Sequence, residues 1–137
     1  MKKELLSPAG DMESLLEAIH NGADAVYLAM KSFGARKFAK NFSKEEIIEA
    51  IKLCHLYGVR IYVTMNTLVK ESEVEDFLEQ VKYLHINGAD AIIMQDFGMI
   101  SLVRKMYPNL EIHASTQANN SCLDTIKMFY EMGVKRV

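Results

Sequence analysis

Tryptophan is absent from this chain of 137 residues, and cysteine and proline occur only twice each. Cys54 and Cys122 fall into no CxxC or zinc-ligand spacing, which excludes a disulfide framework or zinc ribbon and points to thiols of a reducing compartment. Strong net charge is missing too. Lys and Arg total 16 against 18 Asp and Glu, a balance of −2, so bulk electrostatics argue against a dedicated nucleic-acid or membrane-surface binder while leaving room for a local basic patch. No apolar run reaches membrane-spanning length, and MKKELLSPAGD holds a two-leucine stretch before its proline, too short for a signal-peptide core. The expectation is a cytoplasmic protein without a membrane partner. No GxGxxG follows the first predicted strand and no HExxH occurs, so neither a dinucleotide site nor a zinc protease has motif support.

What the chain does contain is one phrase written twice. NGADAVYLAM runs from Asn21 to Met30 and NGADAIIMQD from Asn87 to Asp96. Before each, apolar residues recur at helical spacing; after each comes a strand-like run. Asp11 is the expected cap of a first helix through Leu15 and Ile19. Ser43 with Glu46 forms an expected capping box, stapled by Phe42 and Ile47, and Ser72 with Glu75 a second. Gly22, Gly58, Gly88 and Gly133 each end a helical pattern and lead into a strand pattern, so NGADA reads as the helix-to-strand joint of a repeating βα unit. Strands are predicted at Ala23–Met30, Val59–Asn66, Ala89–Gln95 and Leu110–Gln117, with a sixth begun at Val134–Val137. Strand and helix alternate along the chain with no linker, which predicts an α/β fold with a parallel sheet. Both an open doubly wound sheet and a (β/α)8 barrel fit; a barrel takes eight units and ~250 residues, so residues 1–137 would form the N-terminal portion of one, about five βα units plus a sixth strand.

In such folds chemistry sits at the carboxyl ends of the strands. Those ends carry Ser7, Asn66, Gln95, Asp96, Ser115, Thr116 and Gln117. Alternation puts Tyr62, Thr64 and Asn66 on one face of the third strand and His113, Ser115 and Gln117 on one face of the fifth. Ile61, Val63, Met65 and Ile112 fall on the opposite faces and suit packing against helices. Polar sets aimed into one lumen are odd for a core and reasonable for a ligand pocket. His113, Ser115 and Asp96 can be drawn as a protease constellation, but a mid-strand serine lacks the strained, exposed position and oxyanion hole a nucleophile needs. A hydrogen-bonded interior histidine is the simpler reading. His20, His55 and His85 read as surface or satisfied helical residues, Cys54 as core, and Cys122, near a helix start, as a possible reactive thiol weighed against an ordinary one. Between Lys31 and Phe42, four basic residues (Lys31, Arg36, Lys37, Lys40) interleave with Phe33, Phe38 and Phe42. Such a loop suits an anionic substrate or RNA bases as well as it suits a solvated surface.

The ordered motifs LLSPAGDMES, GADAVYLAM, Asn41-Phe42-Ser43 after Arg36, IYVTMN, GADAIIMQDFG and above all EIHASTQ resemble the collagenase-like peptidases of family U32 along essentially the whole chain. The resemblance implies the N-terminal part of a barrel-type domain in a longer protein, and it draws Arg36 and Asn41 into the set of candidate substrate-binding residues with Asn66, Asp96, His113, Ser115 and Gln117. It implies a peptidase by the family's traditional label, with peptide as substrate. Alternatively it implies an RNA-modifying protein supporting hydroxylation of a tRNA uridine or of ribosomal RNA, with prephenate or an iron-sulfur centre in some members. Downstream cysteines would hold such a cluster; no cofactor is evident in this chain's own residues. A non-catalytic scaffold is a third reading, in which unpaired barrel edges lead the chain to self-associate.

Overall fold

Short polar side chains open several of the helices. In the computed structural model, which describes residues 3–35 and 40–137, Asp11 Oδ1 accepts the Ser14 amide at 2.9 Å and opens α1 (Met12–His20). The Ser43–Glu46 box forms in both directions, at 3.2 and 2.8 Å, and opens α2 (Lys44–Leu56), with Phe42 and Ile47 buried at its entry as the staple. The box expected at Ser72 and Glu75 does not form. Ser72 lies in a 3-10 turn, Glu71–Glu73, in which the Glu73 carboxylate accepts the Lys70 amide at 2.9 Å, and α3 (Val74–Ile86) continues from that turn. Asp96 opens α4 (Phe97–Met106), and α5 spans Leu123–Glu131.

Five strands alternate with these helices: β1 (Leu6–Pro8), β2 (Ala25–Ala29), β3 (Arg60–Met65), β4 (Ala91–Met94) and β5 (Glu111–Ala114). All neighbours are parallel, in the order β1-β2-β3-β4-β5. A doubly wound sheet reverses its strand order at a switch point; a sheet in which every strand pairs with the next in sequence is instead the start of a barrel wall. This decides between the two architectures that alternation alone leaves open. Beyond β5 the chain touches the sheet through one bridge, His113 to Arg136, rather than a full sixth strand. The fifth strand is also shorter than its pattern suggests: it ends at Ala114, and Thr116–Ala118 form a 3-10 turn.

The two sheet faces differ as the alternation predicts. Val26, Leu28, Ile61, Val63, Met65, Ile92, Met94 and Ile112 pack against Leu15, Ile47, Ile51, Phe77, Val81, Ile100 and Phe129 of the helices in one apolar cluster. Tyr27, Tyr62, Ala91 and Ile93 lie in a separate, smaller cluster on the lumen side. No described helix is long and apolar enough to cross a membrane.

The repeated phrase is a joint with a role for each letter. Asn21 and Asn87 Nδ2 donate back to the Glu17 and Tyr83 carbonyls, each at 2.8 Å, closing the helix ends. Gly22 and Gly88 follow at φ 87° and 89°, where a Cβ would strain the backbone. Asp24 Oδ2 then accepts the Leu5 amide at 2.9 Å and Asp90 Oδ2 the Ile61 amide at 2.8 Å, so each aspartate ties its incoming strand to the strand before it. Asp90 also holds His55 Nε2 at 3.0 Å. Asp90→Ala removes the acceptor of a strand-end amide and is expected to lose about 1–3 kcal/mol of stability. A lower urea midpoint at unchanged slope is the expected reading, and parental stability would show that the joint holds without its carboxylate.

Candidate functional site

The lumen face carries two polar layers. At the amino ends of the strands, Glu4 accepts the Tyr62 hydroxyl at 2.8 Å and pairs with Arg136 at 2.6 Å. Beside it Glu111 takes Arg60 Nη2 at 3.0 Å on one oxygen and His113 Nε2 at 2.7 Å on the other. The Arg60 and Arg136 guanidiniums lie 5.2 and 5.3 Å from the Tyr62 ring centre, and the His113 ring meets Tyr62 edge-on at 4.7 Å. Opposite charges and a shared aromatic plate thus close the bottom of the lumen.

These contacts set the charge states. The hydrogen bond from Arg136, joined by that from Tyr62, holds the Glu4 carboxyl below its ordinary value against the opposing effect of burial. Burial works to raise Glu111, but the bonds from His113 and Arg60 together bring it below the ordinary range. Burial in turn depresses His113, with Glu111 only partly offsetting it, so the imidazole is neutral at pH 7. The Tyr62 hydroxyl is pushed up to about 12, first by burial and then by Glu4.

Above this layer opens a cup of about 500 Å3, lined by Tyr27, Leu28, Ala29, Asn41, Thr64, Asn66, Ile93, His113, Ser115 and Gln117 among others. Its mouth is a chain of amide and hydroxyl contacts. Asn66 Oδ1 accepts the Ala35 amide at 3.1 Å while Nδ2 donates to Ser115 Oγ at 3.2 Å, and Gln95 Nε2 donates to the Asn66 carbonyl at 2.9 Å. Ser115 Oγ also accepts the Gln117 amide at 3.2 Å, which starts the 3-10 turn after β5. Asn120 Nδ2 reaches the Ser115 carbonyl at 3.4 Å, and its buried Oδ1 has no hydrogen-bond partner among the described residues. Asn41, at φ 44°, completes one wall in a backbone conformation that favours Gly or Asn.

Five of the seven candidate residues, Asn41, Asn66, His113, Ser115 and Gln117, therefore line one cup. Gln117 reaches it from the 3-10 turn and not from the strand face. Asp96 lies outside the lining: Oδ1 accepts the Met99 amide at 3.0 Å and Oδ2 the Val69 amide at 3.2 Å, so it caps α4 and anchors the preceding loop. Arg36 falls outside the described residues, as do Lys37 and Phe38 of the same loop; Lys31 and Lys40, which flank them, are exposed. Glu4, Arg60, Glu111 and Arg136 are the functional-looking residues the sequence did not announce. Glu111 alone had a local signal, since it shares a strand face with His113.

The chemistry available is binding and orientation. Ser115 is 3% exposed and its hydroxyl meets Asn66 and the Gln117 amide, while His113 Nε2 is bonded to Glu111. No hydrogen bond joins His113 to Ser115 among the described residues, so the protease constellation is not assembled. Nor do the residues suit an iron-sulfur cluster. Cys54 is fully buried with its thiol pushed up to about 12, first by burial and then by Asp90. Cys122 sits exposed at the start of α5, its thiol lowered by the Thr125 hydroxyl. Among the described residues no group of three or more His, Cys, Asp and Glu is placed to hold a metal ion.

A model of peptidase family U32 matches residues 10–137. The tRNA hydroxylation protein P1 of Bacillus subtilis (strain 168) is 38% identical over 136 residues, covering 99% of this chain and 32% of the relative. The 23S rRNA 5-hydroxycytidine C2501 synthase of Escherichia coli (strain K12) is 40% identical over 134 residues, covering 98% of this chain and 20% of that protein. The chain thus spans between a fifth and a third of the curated relatives it matches. Among solved structures, the U32 peptidase Mk0906 superposes with a TM-score of 0.78 at 11% identity, over 98% of this chain and 58% of its own, a likeness of fold.

Proposed function

From the premise that this chain belongs to peptidase family U32, we infer that its cup receives a nucleotide of an RNA substrate and orients the base, within a longer RNA-modifying protein. One observation carries this reading: neutral amide and hydroxyl groups of the mouth share the cup with Tyr27, Ile93, His113 and the Glu4-paired Arg136, with no activated nucleophile beside them among the described residues. Amide side chains pair in the plane with base edges, and enzymes acting on a base hold it in a pocket lined by such groups and by aromatic surface. A cup of about 500 Å3 is of the size that small ligands occupy. Proteolysis would instead need a base-activated nucleophile or a metal-bound water.

The names of the hydroxylation relatives support the same reading, while the peptidase label rests on the family as a whole. The residues here bind and orient; they do not carry the oxidant that hydroxylation requires. The test removes the full-length protein from its host and compares nucleosides from tRNA and rRNA by mass spectrometry. Loss of one nucleoside carrying an added oxygen is expected. Unchanged nucleoside profiles in both RNA pools would sink the reading.

A further inference from the structure

We propose that Nδ1 of His113 is a hydrogen-bond acceptor facing the cup, its tautomer set by the Nε2 contact with Glu111, and that it takes a ring N–H of the bound base. This rests on the reading of the cup as a base site. Glu111 fixes the tautomer. Its carboxylate, paired with Arg60 at 3.0 Å, is ionised at neutral pH and has no proton to donate, so the 2.7 Å contact with His113 requires the proton to sit on Nε2. A neutral imidazole with Nε2–H leaves Nδ1 as a bare acceptor. Among the described residues no hydrogen bond reaches Nδ1, although His113 is 3% exposed and forms part of the cup lining. Among the described residues the buried side-chain atom left without a partner is Asn120 Oδ1, so Nδ1 of His113 is open to the cup, where a donor on a ligand can reach it.

The surroundings keep that state fixed. Burial disfavours a second proton on His113, and the Arg136 and Arg60 guanidiniums, 5.3 and 5.2 Å from the Tyr62 ring centre, add to that effect. Glu111 and Glu4 are the acidic groups of the layer, and each is committed to an arginine. Glu111 is therefore a positioning residue: it acts on the ligand through the imidazole. The rim adds donors and acceptors from Asn66 and Gln117; deeper in the lining the Arg136 guanidinium is paired with Glu4 while His113 Nδ1 offers an acceptor, so the cup favours a base that points a donor inward.

The experiment is long-range 15N–1H NMR of the histidine rings in this chain at pH 7, with uridine and 3-methyluridine as probes. Uridine has a ring N–H; the methylated analogue has lost it. His113 is expected in the Nε2–H form, with its Nδ1 resonance moved by uridine and with about tenfold weaker binding of 3-methyluridine, the effect of one lost hydrogen bond. Glu111→Gln, whose amide can donate as well as accept, is expected to give a mixture of the two ring forms. An Nδ1–H or doubly protonated His113 in the parent would overturn the proposal, and so would equal responses to both nucleosides. No response to either would overturn it as well, and the nucleoside profile of the host would then show separately whether the RNA reading survives.

Discussion

Tyr62→Ala is expected to destabilise the chain by about 3–5 kcal/mol, the range found when a fully buried aromatic ring is truncated. Tyr62 is fully buried and among the bulkiest side chains to be so. Its ring fills the lumen between Tyr27 and Ala91, its register partners on β2 and β4. It also supports the guanidiniums of Arg60 and Arg136 and the edge of His113. Alanine would leave a void on the lumen side and remove the ring that both guanidiniums lie against. Tyr62→Phe separates packing from polarity: it keeps the ring and loses the 2.8 Å bond to Glu4, which retains Arg136. That change is expected to cost about 1 kcal/mol, the net worth of one hydrogen bond. Urea denaturation of both variants reads the difference directly. If alanine costs no more than phenylalanine, the ring does not hold the layer together and the lumen is looser than its contacts indicate.

The same layer marks the boundary of what the sequence makes legible. Features set by neighbours in the chain are readable: the Asp11 cap, the Ser43–Glu46 box and the glycine at the head of each joint all follow from residues a few positions apart. The division of β3 into a helix-facing and a lumen-facing set is readable too, because a strand alternates with period two. Gln117 shows where that rule stops. Period two was extended through Ser115, but the Ser115 hydroxyl accepts the Gln117 amide and turns the chain into a 3-10 helix, so position 117 no longer counts from the strand. At Asp96 one residue type serves two purposes, and the pattern does not tell a helix cap from a ligand contact until the Met99 amide is seen on it. The charged layer was the least readable. Its partners are Arg60 with Glu111, from β3 and β5, and Glu4 with Arg136, from opposite ends of the chain, and nothing local announces either pairing. Periodicity leaves the doubly wound alternative open for the same reason, since strand order is a property of pairing.

If the proposed function holds, Asn66→Ala is expected to lower that RNA hydroxylation roughly 100-fold, the scale of loss when reacting groups shift by about an ångström, while leaving the fold intact. Asn66 is the residue where the walls of the cup mouth meet. Its Oδ1 holds the Ala35 amide of the loop after β2, its Nδ2 holds Ser115 after β5, and its carbonyl holds Gln95 after β4. Side-chain truncation releases the first two walls and leaves the third. Ala35 is exposed, so water can replace the lost acceptor there and the penalty for folding stays near that of ordinary hydrogen bonds, about 1 kcal/mol each. Asn66→Asp sharpens the reading. A carboxylate still accepts from Ala35 but cannot donate to Ser115, and it adds a negative charge to a mouth that, under the proposed function, would admit an RNA phosphate backbone. If the effect comes from geometry alone, aspartate should retain more activity than alanine; if the neutral mouth matters for RNA, aspartate should be the worse of the two. Full activity in both variants, with the parental urea midpoint, would mean that the cup is not where the substrate base is held.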